Sequence, residues 1–185
     1  MHLLATLMLA ALAAAVPPMA PPGPIFVWVQ PSTTLAGWRA DDTLQVERAL
    51  AAWSGIVPSV RFAITDDSAD ATVRVTWVDR FAHPMTGELR VVRNESGDVI
   101  DASVRLAVHH PDGRPVYGDA MSALAMHELG HLLGLPHSSD PWSIMAPTVR
   151  VRALSSQDSM ALRRAFAAEG HRLLPDASVT SRSRS

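Results

Sequence analysis

The chain contains no cysteine, no surplus of positive charge and no apolar stretch long enough to cross a bilayer comfortably, and each lack narrows its chemistry. Without cysteine there can be no disulfide framework, thiolate nucleophile or iron–sulfur cluster, nor any zinc finger built on sulfur, so a bound metal must be held by histidine or carboxylate. Sixteen basic residues against eighteen acidic ones leave a net charge of −2. A broad cationic surface for phosphate backbones or anionic lipid is therefore missing, and nucleic-acid binding is not expected. The sequence shows no internal repeat. What remains is a 185-residue chain that is 48% hydrophobic and 18% charged, the composition and length of about one globular domain.

The apolar run Leu3–Val16, followed by Pro17, Pro18, Met19 and Ala20, is too short for a membrane span and suits the hydrophobic region of a secretory signal. Small residues at Ala13–Ala15 or at Ala20 offer cleavage points, although no Lys or Arg precedes the run. Residues 1–20 are accordingly expected to be a signal peptide, 21–174 a single domain, and 175–185, rich in Ser and Arg, a disordered tail. The mature protein is expected to be secreted or extracytoplasmic, not inserted in a membrane, and monomeric.

Short strands and helices alternate along the domain. Ile25–Val29 is apolar at every position and reads as a strand covered on both faces. Asp41 and Asp42 offer helix caps, Val46, Ala49, Leu50 and Trp53 recur at helical spacing, and Gly55 closes that helix. Strands are expected at Val60–Ile64 and Val73–Trp77, then at Leu89–Arg93 and Ala102–Val108 across a connection through Asn94–Gly97. Asp119 is placed to cap a second helix running to Leu133, and Ser155 with Asp158 to start a third that stops near Gly170.

The second helix ends in His127-Glu128-Leu129-Gly130-His131-Leu132-Leu133-Gly134-Leu135-Pro136-His137, the pattern H-E-x-x-H-x-x-G-x-x-H. Residues four apart on a helix lie about 40° apart in angle and about 6 Å apart along the axis, so His127 and His131 project from one face toward a common point. His137 cannot join them from a straight helix. Gly134 permits a left-handed turn and Pro136 forbids helical continuation, so the chain can bend and return His137 to the pair. Three histidines with a vacant fourth position form the ligand set of a catalytic zinc site, and Glu128, beside the first ligand, can serve as general base to a water there. Chance assembly of these five fixed positions has a frequency on the order of 10⁻⁵ per chain, which makes coincidence a poor explanation.

This extended motif, with Ser143-Ile144-Met145 beyond it, resembles the metzincin zinc endopeptidases, whose methionine turn supplies a hydrophobic floor beneath the imidazoles; the resemblance gives Met145 that role. Within that group the chain is most similar to the matrixins. Ser138 follows the third histidine, Pro147 stands where other branches carry a tyrosine ligand, and Leu154-Ser155-Ser156-Gln157-Asp158 resembles the start of the matrixin C-terminal helix. The resemblance implies an α+β (α/β-like) fold: a twisted, mixed, mostly parallel sheet of about five strands with three helices. It places a zinc cleft between an upper sheet half and a small lower half. It also implies hydrolysis of peptide bonds in a polypeptide bound along an exposed strand edge, for which Leu89–Arg93 is the candidate.

Some family features have no counterpart in the residues. A cysteine switch is impossible here, Pro147-Thr148-Val149 stands in place of the Pro-x-Tyr specificity wall, and calcium-binding loops are not recognisable. A second metal site could be assembled from His83, His109 and His110 with Asp98 or Asp101. Two alternatives share the motif's chemistry: a zinc amidase acting on cell-wall peptides, and a zinc-binding interaction module without turnover.

Overall fold

The computed structural model describes residues 23–95 and 99–168. The signal-like segment and the Ser/Arg-rich tail lie outside the described residues. Eight elements follow one another: β1 (Ile25–Val29), α1 (Asp41–Trp53), β2 (Phe62–Ile64), β3 (Val73–Val78), β4 (Gly87–Arg93), β5 (Val99–Ala107), α2 (Asp119–Leu132) and α3 (Ser156–Ala168). The five strands form one sheet in the order β2-β1-β3-β5-β4. All neighbours run parallel except β4, which pairs antiparallel with β5 and leaves its other side as a sheet edge. The α+β expectation of a mixed, mostly parallel sheet with three helices holds.

Alternation along the strands puts Val27, Val73, Val75, Val104 and Leu106 on one face, all essentially without solvent contact. Against that face lies α2, which is buried nearly all round its circumference, as an apolar helix enclosed by other elements must be. α1 packs against α2 with Val46, Ala49, Leu50 and Trp53 buried, and the indole Nε1–H of Trp53 donates to the carbonyl of Met126 at 2.9 Å. A bond between residues so distant in sequence fixes the height of α1 against the motif helix. Within the described residues, no helix is long and apolar enough to cross a membrane.

Several local expectations need correction. β1 is not covered on both faces, since Phe26 on the outer face is 44% exposed while Val27 on the inner face is fully buried. β2 begins only at Phe62, because Val60 donates its N–H to Val57 and accepts from Gly55, closing a turn rather than a ladder. Asp41 and Asp42 do not cap α1. The cap position is Ala40, and the Asp42 carboxylate instead accepts the N–H of Arg39, before the helix. Asp119 also lies inside its helix, behind Gly118 at φ 56°, where it acts as a negative charge near the positive helix end. The expected start of the third helix is met: Ser155 Oγ accepts the N–H of Asp158 while Asp158 Oδ2 accepts the N–H of Ser155, the reciprocal pair that starts α3. Described residues end at 168, before Gly170.

Candidate active site

His127 and His131 occupy the last turns of α2, and Leu132 ends the helix. Gly134 then takes φ 87°, a conformation that costs a residue with a Cβ about 1–2 kcal/mol, and the reversal returns His137 to the other two rings. Ring centroids lie 4.7 Å apart for His127 and His131, 5.3 Å for His127 and His137, and 4.7 Å for His131 and His137. The nitrogen atoms available for coordination all fall within 4.8 Å of one another, and no second group of three or more metal-ligating side chains occurs among the described residues.

Hydrogen bonding determines which nitrogen faces which. The carbonyl of Ile144 accepts from His127 Nδ1 at 2.8 Å, and that of Leu135 accepts from His131 Nδ1 at 2.8 Å. A carbonyl only accepts, so each Nδ1 holds the ring's proton and each Nε2 is left with a bare lone pair. Those two Nε2 atoms lie 3.1 Å apart with no proton between them. Two acceptors at that distance repel unless a cation separates them, and a divalent ion at about 2.0–2.1 Å from each nitrogen would bring them to about 3.4 Å. Adding a proton is disfavoured, because burial holds His127 down from 6.5 to about 4 and lowers His131 in the same direction. The donor set, all imidazole, suits zinc.

Glu128 is 6% exposed and sits beside this cluster at the start of β4. Burial, and secondarily the charge of Glu88, raise its carboxyl from 4.5 to about 7. Gly87 makes room for it: a Cβ there would lie 2.8 Å from both Glu128 Cδ and Cγ. Met145 packs against Gly130, where a Cβ would overlap the Met145 sulfur and approach its Cε to 3.0 Å. The methionine turn is in turn held by Asp158. Its carboxylate, 2% exposed, accepts from the Ser143 hydroxyl and from the Ile144 N–H at 3.3 Å while capping α3, and Ser143 Oγ accepts the Met145 N–H at 2.9 Å. Asp158 therefore sets the carbonyl that orients His127.

The three histidines are thus brought together, and with Glu128 they line a cleft of about 1690 Å³. Its upper wall is the free edge of β4, including Leu89–Arg93, and its lower wall is formed by Pro147, Thr148, Val149 and Arg152. Among the described residues the second-metal candidates do not form a group of three ligands. His109 pairs with Asp79 at 2.8 Å and is wedged against Gly37, Asp101 pairs with Arg74, His110 borders the cleft, and Asp98 lies outside the described residues. Sequence reasoning missed Gly87 and Gly130. A glycine inside an apolar helix is a signal of close approach, and Gly130 carried it; Gly87 did not, because its partner lies far along the chain.

A helix with paired imidazoles, a glycine turn to a third, and a methionine-bearing turn packed on that helix, set against a sheet with one antiparallel edge strand, define an architecture of metzincin type. Comparison with known families agrees: the matrixin family model matches residues 29–166, and the chain belongs to the matrixin family. Metalloendoproteinase 4-MMP of Arabidopsis thaliana is 29% identical over 114 residues, covering 57% of this chain and 33% of that protein. Human matrix metalloproteinase-20 is 29% identical over 110 residues, covering 58% of this chain and 23% of its own length. Matrilysin of Felis catus reaches 58% over 41 residues, 22% of this chain and 15% of matrilysin. The matched part of the chain therefore spans a third or less of these relatives.

Proposed function

We propose that this protein is a secreted zinc-dependent endopeptidase in which His127, His131 and His137 hold one zinc ion and Glu128 is the general base. The observation that carries the reading is the pair of proton-free Nε2 atoms 3.1 Å apart on rings that line the cleft, with a buried carboxylate beside them. When bound, zinc lowers the pKa of a water toward about 7 and polarises a carbonyl oxygen. The protein's own contribution begins with fixing the rings through the Ile144 and Leu135 carbonyls. Glu128, held near pH neutrality by its surroundings, takes the proton from the attacking water on its carboxylate oxygen and hands it to the leaving amine. The edge of β4 offers unpaired backbone groups to which an extended polypeptide can add as a further strand. A cleft of this volume exceeds the roughly 300–1,000 Å³ of typical small-molecule pockets, which favours a polymer over a short metabolite.

Digestion of a peptide library with and without chelator, read by mass spectrometry, tests the proposal. Internal cleavage that stops with chelator and returns with added zinc is expected; cleavage that persists without metal, or no cleavage at all, would overturn it. Export rests on the apolar run Leu3–Val16. Protein recovered outside the cell should begin between residues 14 and 21.

A further inference from the structure

We propose that Arg152 selects substrates, and that the enzyme prefers polypeptides carrying Asp or Glu at one fixed position relative to the scissile bond. The inference rests on the peptidase reading above and concerns which polypeptides the same cleft accepts.

Charge in the cleft is unbalanced. Arg90, Arg93 and Arg152 line it, against the two carboxylates Glu88 and Glu128. Glu88 is already committed twice, to Arg90 at 3.0 Å and to Arg105 at 2.9 Å, and Arg105 is not part of the cleft wall. Glu128 is buried against Gly87 and lies at ion-pair distance from no arginine among the described residues. Arg93 has interactions of its own within the protein.

Arg152 differs from both of the others. It is exposed on the lower wall, and among the described residues its guanidinium bonds only the carbonyl of its neighbour Val151, at 3.2 Å. No carboxylate lies within ion-pair distance of it among the described residues. Beside it, Thr148 and Val149 form the same wall, and Leu124 and Ala120 of α2 face into the same recess. Arg152 thus lines the cleft with no carboxylate at ion-pair distance among the described residues, and a strand-like substrate lying along β4 would carry alternate side chains toward the wall that Arg152 shares with Thr148 and Val149. A carboxylate side chain there gains a charge-assisted partner and leaves the arginine paired rather than desolvated alone. A basic side chain at the same position meets like charge.

Matched peptides with amidated C-termini, differing only in Glu, Gln or Lys at each position around one cleavage site, provide the test, since amidation removes the terminal carboxylate as a source of negative charge. Two readouts are taken at about 0.15 M salt: kcat/KM with the zinc-loaded enzyme, and Kd by fluorescence anisotropy with the Glu128→Ala variant. Glu should exceed Gln by about three- to tenfold at a single position, mainly through KM, and Lys should be worst there. Arg152→Glu should invert the order at that position, favouring Lys, while Arg150→Glu, an equal charge change two residues away and outside the cleft wall, should preserve it. Equal Kd and kcat/KM for Glu, Gln and Lys at every position, or an unchanged order in Arg152→Glu, would overturn the assignment while leaving the peptidase reading intact. Failure to cleave any peptide would overturn both.

Discussion

A methyl group added at Gly130 would be driven into the sulfur of Met145 and to 3.1 Å from Trp53 Cζ2, so this one glycine decides how closely the methionine turn approaches the ligand helix. Gly130→Ala should gain helix propensity, by up to about 1 kcal/mol, and lose more to overpacking, about 1–3 kcal/mol. Chemical denaturation is expected to show net destabilisation together with weaker zinc binding; a stabilised variant would mean that the turn relaxes freely. Glu128 supplies a second prediction at this scale. Its folded-state carboxyl lies near 7 rather than 4.5, so the stability it confers as a protonated group is fully present below pH 4.5 and is lost as pH rises through 7. Glu128→Gln removes that loss. In chelator, the variant should be more stable than the parent at pH 8, by on the order of 2–3 kcal/mol, with the difference nearly gone at pH 4.5. His127, shifted the opposite way to about 4, loses stability as pH falls, but it does so in both proteins and cancels in the comparison. Equal stability at pH 8 would show that the carboxylate is better solvated than its burial indicates.

The elements divide the work between positioning and walling. α2 carries the two helical ligands and β4 the upper wall, whereas α3 is linked to the methionine turn through the single carboxylate of Asp158. Asn at 158 has one acceptor oxygen where the carboxylate has two, so at least one buried donor among Ser143, Ile144 and Ser155 loses its partner. Asp158→Asn should cost about 2–4 kcal/mol and, by releasing the Ile144 carbonyl from its register, weaken zinc affinity about 10–100-fold. Competition with a chelating dye measures the affinity directly; a loss of stability with unchanged affinity would separate the cap of α3 from the orientation of His127.

For the molecule as a whole, metal binding should be part of folding stability, because without it the two Nε2 lone pairs face each other across 3.1 Å. Zinc at about a hundred times its Kd should add about 2.7 kcal/mol, raising Tm by several degrees, and His131→Ala should abolish the increment. The ligands were legible in the sequence because helical spacing and a glycine-proline bend are local, and so was the Ser155–Asp158 cap. Strands near β3, β4 and β5 could also be read from apolar patterning, whereas the order and mixed direction of the sheet came only from the resemblance. Contacts between distant segments were not legible: Trp53 on the Met126 carbonyl, Gly87 against Glu128, and the second duty of Asp158 all depend on how elements meet. Nor did the aspartates at the starts of α1 and α2 take the capping positions their residue type favours, since Ala40 and Gly118 hold those places.

Zinc content and turnover measured on one preparation of Glu128→Ala bear most directly on the assignment of metal and base. The account predicts about one zinc per chain, as in the parent, with the rate of peptide cleavage lowered about 10²–10⁴-fold. A variant that keeps its zinc and cleaves at the parent rate would contradict it.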